Sequence, residues 1–178
     1  MVVDDGSVDD TWERAARIPV ALLRHACNLG QGAALQTGIR YARMQSDVRF
    51  VVTFDSDGQH SAADIRRLLA PLESGKYDVV FGSRFAAGGP STGMPASRRH
   101  VLRLAVALTR LTTGLTVTDT HNGLRAFTAE AAGKIVIRQN GMAHASEILG
   151  QIASLGCAGA RWLSPCDTPS TLCIKDSR

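Results

Sequence analysis

Apolar runs alternate with segments of helical periodicity along the first 82 residues, and this alternation constrains the fold more than any other feature. The βαβαβαβ rhythm predicts an α/β domain with a Rossmann-like, mostly parallel sheet flanked by helices. In such a sheet, functional groups gather beyond the carboxyl ends of the strands. A capping box at Ser7 and Asp10 predicts a short helix to about Arg17. The predicted strands are Val2–Val3, Val20–Leu23, Phe50–Phe54 and Tyr77–Phe81, and the predicted helices are Gly32–Met44 and one opened by Ser61 and Asp64.

The second half of the chain continues with helices and short strands after a Gly/Pro-rich loop over Ala86–Pro95. We expect one domain over residues 1–160, because no linker or internal repeat divides it. Residues 161–178 carry two prolines and little periodicity, so we expect an irregular, poorly ordered tail. The further predicted elements are a helix over Arg98–Thr112, strands near Thr116–Thr118 and Asn122–Phe127, and helices Ala129–Ile137 and His144–Leu155.

Composition excludes several classes of protein. The formal net charge is only +4, and there are two Trp, two Tyr and five Phe in 178 residues, which argues against a nucleic-acid-binding surface. The mild basic balance favours anionic ligands such as phosphates. No apolar run reaches the length of a membrane span, and the start of the chain does not resemble a signal peptide. We therefore expect a soluble protein in the cytoplasm or at the inner face of the membrane.

Acidic residues follow two of the predicted strands directly. Asp4 and Asp5 follow the first strand, and Asp55 and Asp57 follow the third. Carboxylates that share one sheet edge repel each other and lose hydration unless a cation neutralises them. Asp-x-Asp offers the hard oxygen ligands that suit Mg²⁺ or Mn²⁺. The alternative is that Asp55 and Asp57 only cap the turn before the next helix.

Five motifs occur in an order that points to a family. The series resembles the family 2 glycosyltransferases with the A-type, nucleotide-diphospho-sugar transferase fold. It is most similar to the branch of polyprenyl-phosphate (dolichol-phosphate) mannosyl- and glucosyltransferases, over about residues 1–155. The motifs are Val2–Ser7, Asn28–Ala34, Asp55–Gln59, Gly82–Arg84 and Asp119–Arg125.

The resemblance implies a donor site for a nucleotide-sugar of the GDP-mannose or UDP-glucose type. It assigns Asp4 and Asp5 to the base and ribose of the nucleotide. Asn28, Gly30 and Gly32 belong to a loop whose glycines let the backbone approach a ligand, and which leads into a helix N-terminus that favours anions. A plain helix entry is the alternative for this loop.

The resemblance also implies a divalent metal. Asp55 and Asp57 are the expected ligands of Mg²⁺ or Mn²⁺ on the sugar diphosphate, with Gln59 adjacent and Asp55 also counted among the donor contacts. The metal would neutralise charge on the departing nucleoside diphosphate. Superficially, Asp55-Ser56-Asp57-Gly58 also resembles the nucleophile motif of haloacid-dehalogenase phosphatases, although that family has Thr where Gln59 stands.

Three residues are the catalytic candidates of an inverting transfer. The resemblance makes Asp119 the general base for an acceptor hydroxyl, or an orienting group if the acceptor is an already anionic lipid phosphate. A turn cap is the alternative for Asp119. Arg84 and Arg125 either bind phosphate oxygens or pair with the clustered aspartates.

The acceptor implied by the resemblance is a polyprenyl phosphate. The helix that begins at Arg98 either docks on an anionic membrane surface or packs as an ordinary core helix. Relatives begin one strand and one helix earlier, so we expect the usual first strand to be missing and its neighbours' edges to be exposed. This departure leaves a third interpretation, a non-catalytic glycosyltransferase remnant.

Overall fold

The computed structural model describes residues 1–55, 57, 61–82 and 123–155, together with two short strands near the end of the chain. Apolar runs and amphipathic segments form the predicted strands and helices in the first 82 residues. These elements are β1 (Val2–Asp4), α1 (Thr11–Ala15), β2 (Leu22–Arg24), α2 (Gln31–Arg43), β3 (Phe50–Thr53), α3 (Ala63–Glu73) and β4 (Val79–Gly82).

The later described elements begin after residue 122. They are β5 (Arg125–Thr128), α4 (Ala129–Lys134), α5 (His144–Ser154), β6 (Trp162–Leu163) and β7 (Cys173–Ile174). The predicted helix over Arg98–Thr112 and the predicted strand near Thr116–Thr118 lie outside the described residues.

The strands form two hydrogen-bonded sheets. β1 and β2 pair in parallel, with Asp4 opposite Arg24. The second sheet has the order β3-β5-β4-β6, and β7 also pairs with β4. β5 is antiparallel to both β3 and β4, so β3 and β4 run in the same direction and end at the edge where β5 begins. The α/β class is as predicted, but β5 makes the second sheet mixed.

Helices cover both faces of the second sheet. On one face, apolar side chains of β3, β4 and β5 pack against α2, α4 and α5 in a core that includes Val51, Phe81, Phe127, Ile148 and Ile152. On the other face, α3 supplies Leu68 and Leu72, which pack against β4 and β5. Both faces of β4 are therefore buried, which is why its sequence has no polar alternation.

Helix α2 joins the two sheets. Its Ile39 belongs to the core of the second sheet and is 2% exposed. One residue earlier, Gly38 lies against Val3 of β1, where a Cβ would reach ordinary contact distance of that side chain. Helix α2 thus packs against both sheets. It relates the Asp4 end of β1 to the Thr53 end of β3, although β1 and β3 are not paired with each other.

Two predicted helix boundaries are wrong. The Ser7 capping box does not form: the Ser7 N–H donates to Asp4, and α1 begins only at Thr11, whose N–H bonds the Asp9 side chain. The helix predicted over Ala129–Ile137 ends at Lys134. It begins at Ala129 as predicted, where the Thr128 side chain caps it by accepting the N–H of Ala131, but the β-branched residues after Lys134 are not helical.

Two dipeptides in the tail, residues 161–178, form short strands where irregular structure was predicted. Trp162–Leu163 pairs in parallel with β4, and Cys173–Ile174 pairs with it in the antiparallel sense. Both dipeptides are apolar or aromatic, as strand residues beside a buried strand tend to be. The rest of residues 161–178 lies outside the described part of the chain.

Candidate functional site

Asp4 ends β1 and is engaged by protein groups on both oxygens. Asp4 is 3% exposed, and its Oδ1 accepts a hydrogen bond from the N–H of Ser7 at 3.0 Å. Its Oδ2 accepts no hydrogen bond from any described residue, although the Nε of Arg24 lies 3.2 Å away in an ion pair. Arg24 in turn stacks over Trp12 of α1, 5.3 Å from the ring centroid. Asp4 therefore fastens α1 and β2 to the end of β1.

Asp5 organises the loop that follows β2. Its Oδ1 accepts the N–H of Leu29 at 3.0 Å and contacts the Nδ1 of His25 at 2.7 Å. Its Oδ2 accepts the N–H of Gly30 at 2.7 Å. A carboxylate has about four acceptor positions, and three of those of Asp5 are filled by the protein itself. Asp5 thus fixes, from one side, the backbone of the loop Asn28–Gly32, which we call the glycine loop.

Hydrogen bonds shift the acidity of both carboxyl groups. The side chain and backbone of Ser7 hold the pKa of Asp4 below its usual value, helped by the Arg24 guanidinium. Burial raises the pKa of Asp5, but the Leu29 N–H, the His25 ring and the Gly30 N–H together outweigh it, so the net shift is downward. Both aspartates are therefore anionic at neutral pH.

The glycine loop is fixed from its other side by backbone. The N–H of Gly32 donates to the carbonyl of Asn140 at 2.8 Å. Gly30 has φ +103°, and a Cβ on either Gly30 or Gly32 would overlap the backbone carbonyls of Asn140 and Gln139. Glycine is therefore required here for close approach within the protein as well as for any approach of a ligand.

The segment that carries Asn140 is held by side chains from two helices. Gln36 of α2 accepts the N–H of Ile137, and Glu147 of α5 accepts the N–H groups of Arg138 and Gln139. Gln151 both donates to and accepts from the backbone of Val136. These bonds replace the helical ones that residues 135–139 do not make.

The second acidic segment begins directly after β3. Asp55 is half-buried, and its Oδ1 accepts a hydrogen bond from Gln31 Nε2 at 3.1 Å. Its carboxylate lies against Gly123, in the space that a Cβ there would occupy. Asp57 is exposed. Gln31 therefore connects the glycine loop to Asp55, and the N–H of the preceding residue, Gly30, connects the same loop to Asp5.

The start of β5 closes the same edge of the sheet. Thr53 Oγ1 donates to the carbonyl of Gly123 at 2.7 Å, and the Gly82 N–H donates to the carbonyl of Leu124 at 2.8 Å. Arg125 stands in register between Thr53 and Phe81 and is 2% exposed. For Arg125, this burial favours the structural alternative over contact with a ligand phosphate.

Contacts thus link Asp5 to Gly30 and, through the neighbouring Gln31, to Asp55, whereas Asp4 contacts Ser7 and Arg24. Asn28 is exposed at the start of the loop that contains Gly30 and Gly32. Asp57 lies two residues further along the chain from Asp55. The predicted residues Gln59, Arg84 and Asp119 lie outside the described residues, so their roles stay predictions. Within the described ranges, no three His, Cys, Asp or Glu side chains are grouped closely enough to hold a metal ion.

Sequence reasoning missed His25, Gln31, Thr37 and Glu147. One signal could have found His25. If the first two strands pair in parallel with Asp4 opposite Arg24, the next residues along, Asp5 and His25, also lie side by side. Glu147 could not be found this way, because its partners are backbone groups of an irregular segment.

The comparison with known proteins decides the family. The sequence profile described as "Glycosyl transferase family 2" matches residues 1–136. This chain belongs to glycosyl transferase family 2. The resemblance stated from the five motifs is confirmed, and the haloacid-dehalogenase alternative is set aside because it requires a different family.

Several curated relatives are similar over three quarters of the chain. An uncharacterised protein of Methanocaldococcus jannaschii is 40% identical over 136 residues, covering 76% of this chain and 56% of the relative. UDP-N-acetylglucosamine–dolichyl-phosphate N-acetylglucosaminyltransferase of Methanococcus voltae is 32% identical, covering 74% and 59%. Undecaprenyl-phosphate mannosyltransferase of Micrococcus luteus is 33% identical, covering 73% and 54%. The chain spans about half the length of these relatives.

Solved structures confirm the fold. Glucosyl-3-phosphoglycerate synthase of Mycobacterium tuberculosis with Mg²⁺ and uridine diphosphate superposes with a TM-score of 0.63 at 23% identity, covering 88% of this chain and 54% of that one. The same enzyme with Mn²⁺, UDP-glucose and phosphoglyceric acid gives 0.60 at 21% identity, covering 85% and 55%. The predicted nucleotide-diphospho-sugar transferase fold is therefore correct. Among the helices in the described ranges, none has the length and apolarity that a membrane crossing needs.

Proposed function

We propose that this chain forms the donor-binding part of a metal-dependent, inverting glycosyltransferase. It would move a hexose from a nucleotide-sugar of the GDP-mannose or UDP-glucose type to a polyprenyl phosphate. The observation that carries the proposal is the hydrogen bond from Gln31 to Asp55, because it joins the glycine loop to the Asp-x-Asp segment at one edge of the fold. Family membership supports the reaction class.

The nucleotide side of the proposed donor site is formed by β1 and the loop. Asp4 and Asp5 stand there, as the resemblance implies. Because three N–H groups already fill most of the Asp5 carboxylate, Asp5 contributes chiefly through the loop that it holds. Asn28, Gly30 and Gly32 offer backbone close to the start of α2, whose positive dipole end favours a diphosphate.

The metal side of the site has carboxylates that fit Mg²⁺ or Mn²⁺. Asp55 and exposed Asp57 supply two hard oxygen ligands, and Mg²⁺ usually takes one or two carboxylates together with substrate phosphates. Solved relatives of the same fold carry Mg²⁺ or Mn²⁺ with uridine diphosphate. When bound, the ion would neutralise charge on the leaving diphosphate. Gln59 is proposed as an adjacent polar contact.

The chain's own groups would orient the reactants for inversion. The acceptor oxygen attacks the anomeric carbon from the face opposite the departing diphosphate, so acceptor and donor must lie on opposite sides of the sugar. A phosphate monoester has its second pKa near 6 and is largely dianionic at neutral pH. With such an acceptor, Asp119 would orient the phosphate, and Arg84 would hold it or the leaving diphosphate. Arg125 would support this edge from within the sheet.

The lipid acceptor is proposed from the relatives. Several of them are named as transferases to dolichyl or undecaprenyl phosphate, or as a polyprenol monophosphomannose synthase. The helix predicted from Arg98 onward would bring the site to the inner face of the membrane through its basic end.

Titration calorimetry with UDP and with GDP, in Mn²⁺ and in EDTA, tests the proposal. We expect binding that requires Mn²⁺ and that falls by more than about 100-fold in Asp55→Asn and Asp57→Asn. Loss of an outer-shell partner already costs about 10–100-fold. Asp47→Asn is the matched control, because Asp47 is exposed and precedes β3, whereas Asp55 follows it.

Two results would contradict the proposal. Binding of neither nucleotide by a folded chain would favour the non-catalytic interpretation. Equal loss of binding in Asp47→Asn would show a general charge effect and no site at Asp55 and Asp57.

A further inference from the structure

His25 lies between β1, β2 and α2. It follows β2 directly and lies beside Asp5 because β1 and β2 pair in parallel. Its Nδ1 lies 2.7 Å from Asp5 Oδ1, and its Nε2 lies 2.9 Å from Thr37 Oγ1 of α2. The side chain is only 11% exposed. Its ring therefore spans from the end of β1 to Thr37, the seventh residue of α2, and both of its nitrogens are engaged.

The direction of these hydrogen bonds follows from the chemistry of the partners. An ionised carboxylate only accepts, so His25 must donate its Nδ1–H to Asp5. In the neutral ring, Nε2 then accepts the hydroxyl hydrogen of Thr37. Thr37 therefore donates to His25, and His25 donates to Asp5, so that each group fixes the orientation of the next.

Asp5 passes this orientation to the glycine loop. The same Oδ1 that accepts from His25 accepts the N–H of Leu29, and Oδ2 accepts the N–H of Gly30. The next residue, Gln31, donates to Asp55. A rotation of the Asp5 carboxylate would therefore move the backbone at Leu29 and Gly30, and with it the side chain that meets Asp55.

We propose that His25 is a positioning residue for nucleotide-diphosphate binding, and that it acts by locking the Asp5 carboxylate against Thr37 so that the loop Asn28–Gly32 keeps its geometry. The inference rests on the proposed function of this site. His25 does not touch the ligand in this scheme, because both ring nitrogens are held by protein groups.

Two variants of His25 separate its two bonds. An Asn amide nitrogen can take the place of Nδ1, so His25→Asn keeps the bond to Asp5. A Gln amide nitrogen reaches the place of Nε2, so His25→Gln keeps a contact with Thr37 and loses the bond to Asp5. Thr37→Val removes the hydroxyl while keeping the shape of the side chain, and Asp47→Asn again serves as the surface control.

The first readout is the amide spectrum of the full chain labelled with ¹⁵N. We expect the Leu29 and Gly30 amides to be shifted downfield in the wild type and in His25→Asn, because they donate to a carboxylate held in place. In His25→Gln and His25→Ala, both signals should move toward the values of solvent-exposed amides. A long-range spectrum of the ring should show the proton on Nδ1.

The second readout is binding of UDP or GDP with Mn²⁺. We expect about a 10-fold weaker affinity in His25→Gln and His25→Ala, and less than about 3-fold in His25→Asn, as is typical for outer-shell partners. Thr37→Val should lie between these values. Should His25→Ala fail to fold, the Asn, Gln and Thr37 variants still carry the test.

The outcomes separate this inference from the proposed function. Shifted loop amides in His25→Gln, restored in His25→Asn, support positioning even if the wild type binds no nucleotide, a result that would overturn only the proposed function. Unchanged Leu29 and Gly30 amides in His25→Gln, or equal affinities of His25→Gln and the wild type in a protein that does bind, would overturn the role of His25.

Discussion

Two strand ends with almost the same sequence pattern are used differently in this molecule. Asp4 ends β1 and Asp5 follows it, and they are engaged by Ser7, Arg24, His25 and the backbone of the glycine loop. Asp55 follows β3, remains half-buried, and among the described residues accepts one hydrogen bond, from Gln31. The first pair holds β2 and the glycine loop in place, whereas Asp55 makes fewer contacts within the described residues.

The neighbouring strands explain this difference. β2 is parallel to β1, so its carboxyl end delivers the side chains of Arg24 and His25 beside the first acidic pair. β5 is antiparallel to β3, so it begins where β3 ends and offers Gly123, which has no side chain. Strand direction and one glycine therefore account for the different surroundings of the two carboxylates among the described residues.

We call Asp4, Asp5 and the glycine loop the closed side of the site. Among the variants of this side, Gly30→Ala should have the largest effect on stability. Its φ of +103° and the neighbouring carbonyl of Asn140 leave no space for a methyl group. We expect the free energy of unfolding to fall by about 3 kcal/mol in urea titration, combining backbone strain and overpacking. Gly75→Ala is the control, since Gly75 also has a positive φ of 67° but has open space around it. Its cost should be only about 1 kcal/mol, and equal costs would refute the packing argument.

Asp5→Asn and Asp55→Asn should separate the two acidic segments. The Asn amide cannot accept on both sides, so Asp5→Asn leaves either the Leu29 or the Gly30 N–H facing a donor. Bonds to charged groups contribute about 1.5–3 kcal/mol, and we expect a loss of about 2 kcal/mol of stability. Asp55→Asn should change stability by less than about 0.5 kcal/mol while removing metal-dependent binding. Equal destabilisation by both variants would remove the contrast between the segments.

Lowering the pH should reduce the stability that Asp4 and Asp5 contribute. The pKa of Asp4 and that of Asp5 are both lowered in the folded state. A lowered pKa contributes stability at pH values above the unfolded pKa, near 4, and this contribution is lost as the pH falls through the folded value. Stability measured from pH 6 down to pH 3 should therefore fall, and it should fall less steeply in Asp5→Asn. An identical slope in the two proteins would contradict the assignment.

Gln31→Ala should have the smallest effect. Its bond to Asp55 is exposed and 3.1 Å long, so stability should stay within about 0.5 kcal/mol of the wild type. Nucleotide affinity with Mn²⁺ should fall by about 3-fold, measured by calorimetry, because one hydrogen bond contributes about 0.5–1.5 kcal/mol. A loss as large as that of Asp55→Asn would show that Gln31 itself is a ligand.

Local patterns predicted much of the first half of the chain. Helix α2 was expected over Gly32–Met44 and lies at Gln31–Arg43, and β3 ends one residue before the expected Phe54. These elements combine strong periodicity with burial on the expected faces. The positions of Asp4, Asp5 and Asp55 at strand ends also followed from local patterns, since acidic residues after apolar runs are visible without any knowledge of contacts.

Distant contacts could not be predicted in this way. Ile135, Val136 and Ile137 continue an apparent helical pattern, yet they are not helical, and Gln36 and Gln151 bind the backbone of Ile137 and Val136. The antiparallel direction of β5 has no signature in the sequence of β5 itself. Ser7 looked like a helix cap, but its N–H is taken by Asp4 three residues earlier.

The bond between Gly32 and Asn140 has a consequence for the order of folding. It joins residues more than one hundred positions apart, as does the bond between Gln36 and Ile137. Such distant pairings form late, because the long intervening chain must first be brought into place. During synthesis, the loop beside Asp5 would therefore lack these bonds until the region around α5 has left the ribosome, so ligand recognition would wait for a segment made more than one hundred residues later.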